Sequence, residues 1–162
     1  MRLKECHPYG KSGFDPVKEN LKFREISLFL IKKYRKENLY LNLPKNLADY
    51  KKDKYKETKH FAIYKDERVV SGLTLIKDVS DFQNKSFQIR GMFTTKYEKK
   101  KGYGSMLIEK IIIKLRKDKI KFLWCNSRIS AIEFYKKNKF KETGKEFHIK
   151  LLGNHKKLIR KI

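Results

Sequence analysis

Lys99-Lys100-Lys101-Gly102-Tyr103-Gly104-Ser105 combines what a phosphorylated ligand needs: adaptable backbone, free amides and positive charge. The stretch joins a run with strand character to a run with helix character. Glycines at such a junction let backbone N–H groups turn inward, and the helix N-terminus adds the positive end of its dipole. A pyrophosphate suits that place. Glycines at a strand-to-helix turn also serve close packing alone, so the motif by itself leaves both readings open.

Two further segments stand in order around it. Gln88-Ile89-Arg90-Gly91-Met92-Phe93-Thr94 precedes the loop as a strand candidate. About twenty residues after it comes Trp124-Cys125-Asn126-Ser127-Arg128-Ile129-Ser130-Ala131-Ile132-Glu133-Phe134-Tyr135-Lys136-Lys137-Asn138-Lys139-Phe140. Together these resemble the GNAT N-acetyltransferases. In that family the phosphate loop reads Arg or Gln, two residues, Gly, one residue, Gly or Ala. A later segment carries an Asn, then an Ala and a Phe-Tyr pair, followed by Gly-Phe. The resemblance spans about Phe61 to Phe140. Gly153-Asn154-His155 near the end is similar to a Gly-x-x-His ending in one bacterial subgroup, and residues 1 to 58 match loosely. Two departures stand out: Lys99 occupies the Arg or Gln position, and Asn138 is taken as the replacement for the glycine before Phe140. Lys99 can face a phosphate as a point charge without Arg's planar fork. Asn tolerates a left-handed backbone better than most residues.

The resemblance implies an α/β fold of the GNAT type: a central mixed, mostly antiparallel sheet flanked by helices, with strands splayed at the cofactor site. It implies acetyl-CoA as cosubstrate, coenzyme A as product, and transfer of the acetyl group to a primary amine, with a small molecule as the expected acceptor. Met92, Phe93 and Thr94 would pair with the pantetheine arm. Lys99, Lys100, Lys101, Gly102, Tyr103, Gly104 and Ser105 would hold the pyrophosphate, with Asn126 and Phe134 also at the cofactor. Attack on a thioester requires a deprotonated amine, a stabilised oxyanion and a protonated leaving thiolate. By the same resemblance Tyr135 is the acid, and a backbone N–H near Met92 to Thr94 faces the oxyanion.

No residue is marked out as the base. His60, Glu57 and Asp78 are weak candidates, and His60 and His155 read more simply as ordinary strand residues. Cys125 is expected to be a buried structural thiol, since no His neighbours it in sequence and the family's chemistry needs no acyl-enzyme. An acidic border of Asp78, Asp81 and Glu57 would be needed for a cationic acceptor.

The elements that must position these groups follow from periodicity. Asp15-Pro16 predicts a helix start, with Leu21, Ile26, Phe29, Leu30 and Tyr34 at helical spacing. Residues 39–59 are broken by Pro44 and crowded with lysine, a segment without a clear period. His60 to Tyr64 and Val69 to Ile76 predict a hairpin, and Ser86 to Thr94 a third strand. Gly102 to Lys117 predicts a helix with a broad apolar face, Ile120 to Cys125 a strand, Ser130 to Asn138 a short helix. Phe140 to Leu152 predicts two last strands broken near Gly144. The alternation is a mixed α/β layer fold in a single domain over residues 1–162.

Composition sets the outer limits. The chain has 162 residues, of which 40% are apolar, enough for a core without disulfides or metals. Cys6 and Cys125 form no metal-ligand spacing, so no metal is expected. No segment is apolar for long enough to span a bilayer, and a soluble, cytoplasmic protein without a membrane partner is the expectation. Net charge is +24, with 42 Lys and Arg against 18 Asp and Glu. That charge makes a nucleic-acid-binding protein the rival class, although the lysines are spread through every element instead of forming one face. A catalytically inactive acetyl-CoA-binding regulator is a third class, against which Tyr135 argues. Related enzymes often dimerise, so a homodimer is within the range the resemblance allows.

Overall fold

The computed structural model describes residues 19–78 and 85–162. Seven strands form one sheet: β1 (Leu21–Glu25), β2 (Lys59–Lys65), β3 (Arg68–Asp78), β4 (Ser86–Thr94), β5 (Phe122–Arg128), β6 (Lys141–Ile149) and β7 (Gly153–Lys161). Three helices accompany them: α1 (Leu28–Leu39), α2 (Tyr103–Lys117) and α3 (Ile132–Lys137). The strand order is β1-β2-β3-β4-β5-β7-β6, and every neighbouring pair is antiparallel except β4 with β5. This is the expected mixed, mostly antiparallel sheet flanked by helices.

Alternation in β2 divides the core between two faces of the sheet. Phe61 and Ile63 pack with the apolar stripe of α2, whose Leu107, Ile108, Ile111, Ile112 and Leu115 recur at helical spacing and are fully buried or nearly so. Ala62 faces the other way, onto Ile31 of α1. At about 1.5–3 kcal/mol for each fully buried large aliphatic side chain, the α2 stripe is a leading contribution to the fold. In β4 the alternation is reset. Ile89 and Met92 join the α2 side, whereas Phe93 turns to α1. A bulge causes this: Gly91 and Met92 stand opposite Leu73 alone, because Arg90 pairs with Thr74 and Phe93 with Gly72.

Several sequence expectations need correction. The Asp15-Pro16 cap lies outside the described residues, and Leu21–Glu25 is an edge strand on β2. The helix begins later, at Leu28, with the Ser27 hydroxyl accepting from the Leu30 amide at 3.3 Å. Phe29, placed on the apolar face by periodicity, is 77% exposed; the buried stripe of α1 is Ile31 and Arg35. Residues 39–59 form two 3-10 turns, Lys45–Ala48 and Lys51–Lys54. β5 starts two residues later than expected and runs on to Arg128. Gly144 does not end a strand: β6 continues through it as an irregularity between Thr143 and Phe147, and the turn falls at residues 150–152. The last strand, β7, therefore lies wholly beyond the predicted range. Its buried residues, His155, Leu158 and Arg160, are mostly polar and do not fall on one face, which hides the strand from hydrophobic patterning.

The expected left-handed turn before Phe140 also moves. Asn138 has φ −90°, and Lys139 takes the left-handed position at φ 65°. Lys139, directly before Phe140, thus stands where the resemblance implies a glycine. Asn138 instead closes α3, donating from Nδ2 to the Phe134 carbonyl at 2.8 Å.

Candidate active site

The site begins where β4 and β5 part. They pair in parallel only over Ser86–Ile89 and Phe122–Cys125, while β4 runs on to Thr94 and β5 to Arg128. β5 stays bonded on its other edge to β7, as far as Arg128 opposite His155. The edge of Arg90 to Thr94 that faces β5 is consequently left without a strand partner, and its amides and carbonyls are free for an extended ligand. Gly91 makes the divergence possible. Its φ is +58°, and a Cβ there would stand 2.6 Å from the Tyr50 hydroxyl and 3.0 Å from Arg35 Nε.

At the end of β4, a 3-10 turn at Lys96–Glu98 leads into the glycine loop. Lys100 (φ 62°) and Gly102 (φ 88°) both take left-handed backbone before α2 begins. The first backbone bond of that helix runs from the Met106 N–H to the Gly102 carbonyl at 2.9 Å, so the amides of Tyr103, Gly104 and Ser105 have no intrahelical acceptor. No acidic side chain sits in the first turn, which leaves the positive end of α2 open to an anion. Lys99, Lys100 and Lys101 are exposed around it, Lys101 lying 3.0 Å from Glu98. Tyr103 offers the loop its amide, because its ring is buried and its hydroxyl donates to Glu19 at 2.8 Å. Gly104 serves packing as the chain stands: a Cβ would meet Phe134 at 3.1 Å and Met92 at 3.4 Å.

Tyr135 sits in the fork between the strands. α3 presents it inward, 7% exposed, between the edges of Phe134 and Phe140. Its hydroxyl donates towards the Met92 sulfur at 3.7 Å and also interacts with Cys125. Burial, and then the neighbouring thiol, hold the phenol well above its ordinary range, so it carries its proton at any physiological pH. Burial likewise pushes the Cys125 thiol up to about 12, with the Tyr135 contact pulling slightly the other way. That thiol is no nucleophile near neutral pH.

Beyond Tyr135 a cavity of about 250 Å³ opens, walled by β4 from Gln88 to Met92, β5 from Asn126 to Arg128, and Tyr40, Tyr50, Ile149, Leu152 and His155. Tyr40 and Tyr50 join hydroxyl to hydroxyl at 2.7 Å. Behind them Arg35, fully buried, holds Asp53 in two hydrogen bonds of 2.7 and 2.9 Å and bonds the Ala48 carbonyl and Thr74. Two guanidinium groups lie over the Tyr50 ring, Arg35 at 4.0 Å and Arg90 at 4.2 Å. Even so, burial and the Tyr40 hydroxyl push the Tyr50 phenol well above its usual range.

Of the weak base candidates, Glu57 is exposed and bonded to Lys77 at 2.8 Å. His60 lies outside the cavity, with Nδ1 2.9 Å from Thr74 and its pKa lowered first by burial and then by Arg35. Asp81 and the Asp78 side chain fall outside what is described. His155 does wall the cavity. Its Nδ1 lies 2.8 Å from the Gly153 carbonyl, an acceptor only, so Nδ1 carries the hydrogen and Nε2 is the free acceptor of the neutral ring. Sequence reasoning missed Tyr40, Tyr50, Arg35, Arg90 and Arg128. Tyr40 and Tyr50 come from segments with no helical or strand period to flag them.

The family model for the acetyltransferase (GNAT) domain matches residues 42–152. The chain belongs to the GNAT acetyltransferase family. A relative from Bacillus subtilis (strain 168), the uncharacterized N-acetyltransferase YitI, is 28% identical over 108 residues, covering 65% of this chain and 72% of its own. Among solved structures, Escherichia coli ElaA superposes with a TM-score of 0.72 at 14% identity, over 86% of this chain and 99% of ElaA. A Bacillus subtilis acetyltransferase in complex with CoA gives 0.64 at 12% identity, over 90% and 99%. The mixed sheet and flanking helices of this GNAT protein are thus a shared fold, and the family is one of acyltransferases. Among the described residues there is no cluster of His, Cys, Asp or Glu that could hold a metal ion, and no helix is long and apolar enough to cross a membrane.

Proposed function

We propose that the protein transfers the acetyl group of acetyl-CoA to a primary amine of a small molecule by direct attack of the amine on the thioester. The observation that carries this reading is the position of Tyr135 at the fork of β4 and β5. Its hydroxyl meets Met92 on the unpaired β4 edge, which leads on to the open amides of α2, and both residues also wall a cavity large enough for a small acceptor. The residues suit the cosubstrate: Met92 to Thr94 offer backbone groups to a pantetheine arm, and Tyr103 to Ser105 offer amides to a pyrophosphate, with lysines around them. Phe134 packs between these two parts, and Asn126 borders the cavity.

The cosubstrate, when bound, supplies an acetyl thioester. The chain's own groups then handle protons. A C–N bond forms as the C–S bond breaks; the amine gives up a proton and the leaving sulfur gains one. Tyr135, neutral through burial, is the donor, and it recovers its proton from solvent through the cavity. His155, with Nε2 free, is the acceptor we assign to the amine proton, directly or through water. Cys125, locked as a neutral thiol, argues against an acyl-enzyme.

The test is titration of nucleic-acid-free protein with acetyl-CoA at low and moderate salt, followed by release of CoA thiol with a panel of small amines. Saturable binding that survives moderate salt, with turnover on at least one amine, is the expected result. Binding that salt abolishes would bring the nucleic-acid reading forward, since lysines alone would then be collecting phosphates. Tight binding without turnover on any amine would favour the inactive regulator.

A further inference from the structure

The acceptor cavity has a sign. Arg90 and Arg128 both border it, and among the described residues no Asp or Glu does. Among the described residues neither guanidinium forms an ion pair with a carboxylate. Arg128 donates one N–H to the Leu39 carbonyl at 3.1 Å and rests 6.0 Å from the centre of the Tyr40 ring. Arg90 lies over Tyr50, and the two tyrosines are hydrogen bonded to each other, so one aromatic pair carries both cations. Among the described residues nothing in that wall neutralises them. The Tyr50 phenol stays protonated, and the buried carboxylate behind it, Asp53, is consumed by Arg35 and by the Tyr50 amide at 3.1 Å. A guanidinium fixed by a ring and a carbonyl still has N–H donors to spare, and their planar fork matches a carboxylate or phosphate.

Such a wall repels a second ammonium group and attracts an anion. We propose that the acceptor is a small amine that also carries an anionic group, a carboxylate or a phosphate, which Arg90 and Arg128 hold while the amine reaches Tyr135. A cavity of about 250 Å³ has room for a molecule of amino-acid or aminoalkyl-phosphate size, and the sign of its wall disfavours a polycationic one. The inference rests on the acetyl-transfer reading, and it accounts for two uncompensated arginines that the transfer chemistry does not use.

Matched pairs test it: α-amino acids against their C-terminal amides, and ethanolamine phosphate against ethanolamine, assayed by CoA release at constant ionic strength. The anionic member of at least one pair is expected to exceed its neutralised partner by about tenfold or more in kcat/KM, and the pair that shows it tells carboxylate from phosphate. Arg90→Gln and Arg128→Gln should bring that ratio towards one, mainly through KM, and Arg128→Lys should restore part of it. Equal use of the neutral member, or a ratio unchanged in both Gln variants, overturns the proposal while leaving acetyl transfer intact. If no pair turns over, the same compounds are titrated into protein saturated with CoA. Preferential binding of an anionic member that Arg128→Gln abolishes sustains the anion site even though the transfer reading fails; no such preference overturns it.

Discussion

The Tyr135 hydroxyl lies 3.7 Å from the Met92 sulfur and links α3 to β4 just past the last paired residues of β4 and β5. Two different chain segments thereby meet at the point where the sheet opens. Met92 is the bulge residue, turned to the α2 side because Gly91 resets the strand's alternation. Cys125, the last residue of β5 to pair with β4, touches the same phenol from the other arm of the fork. A proton donor so enclosed keeps its proton and its position without help from solvent.

Tyr135→Phe should therefore separate chemistry from binding. The ring remains, so the packing of Phe134 and Phe140 around it persists, and only the hydroxyl is lost. With an accepted amine, kcat should fall by about 10²–10⁴-fold while acetyl-CoA affinity by titration stays near the parent value. Parallel loss of affinity would make Tyr135 a packing residue and send the proton-donor role elsewhere.

The two loop glycines should fail differently. A Cβ added at Gly102 (φ 88°) would meet nothing within 4 Å, whereas Gly104 is pressed against Phe134. Gly104→Ala should lower stability by about 1–3 kcal/mol through overpacking, whatever the ligand. Gly102→Asn and Gly102→Asp share one shape and one left-handed strain, and differ in charge. A carboxylate about 4 Å from one phosphate charge opposes it by about 1 kcal/mol even in water. The Asp variant should accordingly lose about fivefold or more in acetyl-CoA affinity relative to Asn, read by titration, with similar melting temperatures. Equal affinities would remove the pyrophosphate from this loop.

These differences explain what the sequence could disclose. The loop and the Phe134-Tyr135 segment are local motifs: their residue types act within one turn of chain, so spacing alone reveals them. The acceptor wall is not local. Tyr40, Tyr50 and Arg128 converge from the end of α1, a 3-10 turn and the end of β5, and none follows a 3.6- or 2-residue period that would mark it. Arg35 is concealed by its type, a fully buried guanidinium on the helix face where an apolar residue is expected. Lys139 is concealed for a similar reason, since lysine gives no hint of φ 65° and the neighbouring Asn138 does.

Gly91 ties this wall to the opened strand, and the coupling can be measured. Gly91→Ala adds a methyl 2.6 Å from the Tyr50 hydroxyl at a left-handed residue. Left-handed strain of about 1–2 kcal/mol and overpacking of about 1–3 kcal/mol both apply. Urea unfolding should show a loss of about 2–5 kcal/mol from these two sources. Tyr50→Phe alone also destabilises, because it leaves the Tyr40 hydroxyl without its partner. On the Gly91→Ala background the same change relieves the clash, so the double variant should be more stable than the sum of the two losses. Strict additivity would mean that the bulge and the tyrosine pair are independent.

Cys125 supplies a pH test that does not depend on activity. Its thiol is held at about 12 by burial when folded, against about 8.5 in an unfolded chain. Below pH 8.5 both states keep the proton and the stabilisation is whole. As pH rises above it, the unfolded chain releases a proton that the folded protein retains, so stability falls with pH, by up to about 1.4 kcal/mol per unit for this group, until the folded thiol ionises. Cys125→Ala removes that slope and leaves the lysines, the tyrosines and Cys6 in place. Urea unfolding at pH 7.5, 8.5 and 9.5 should show the parent losing stability faster than the variant over the last interval, although the variant starts lower because of the cavity it creates. Parallel profiles would mean that the thiol is open to water in the fork, and would reopen its role as a nucleophile.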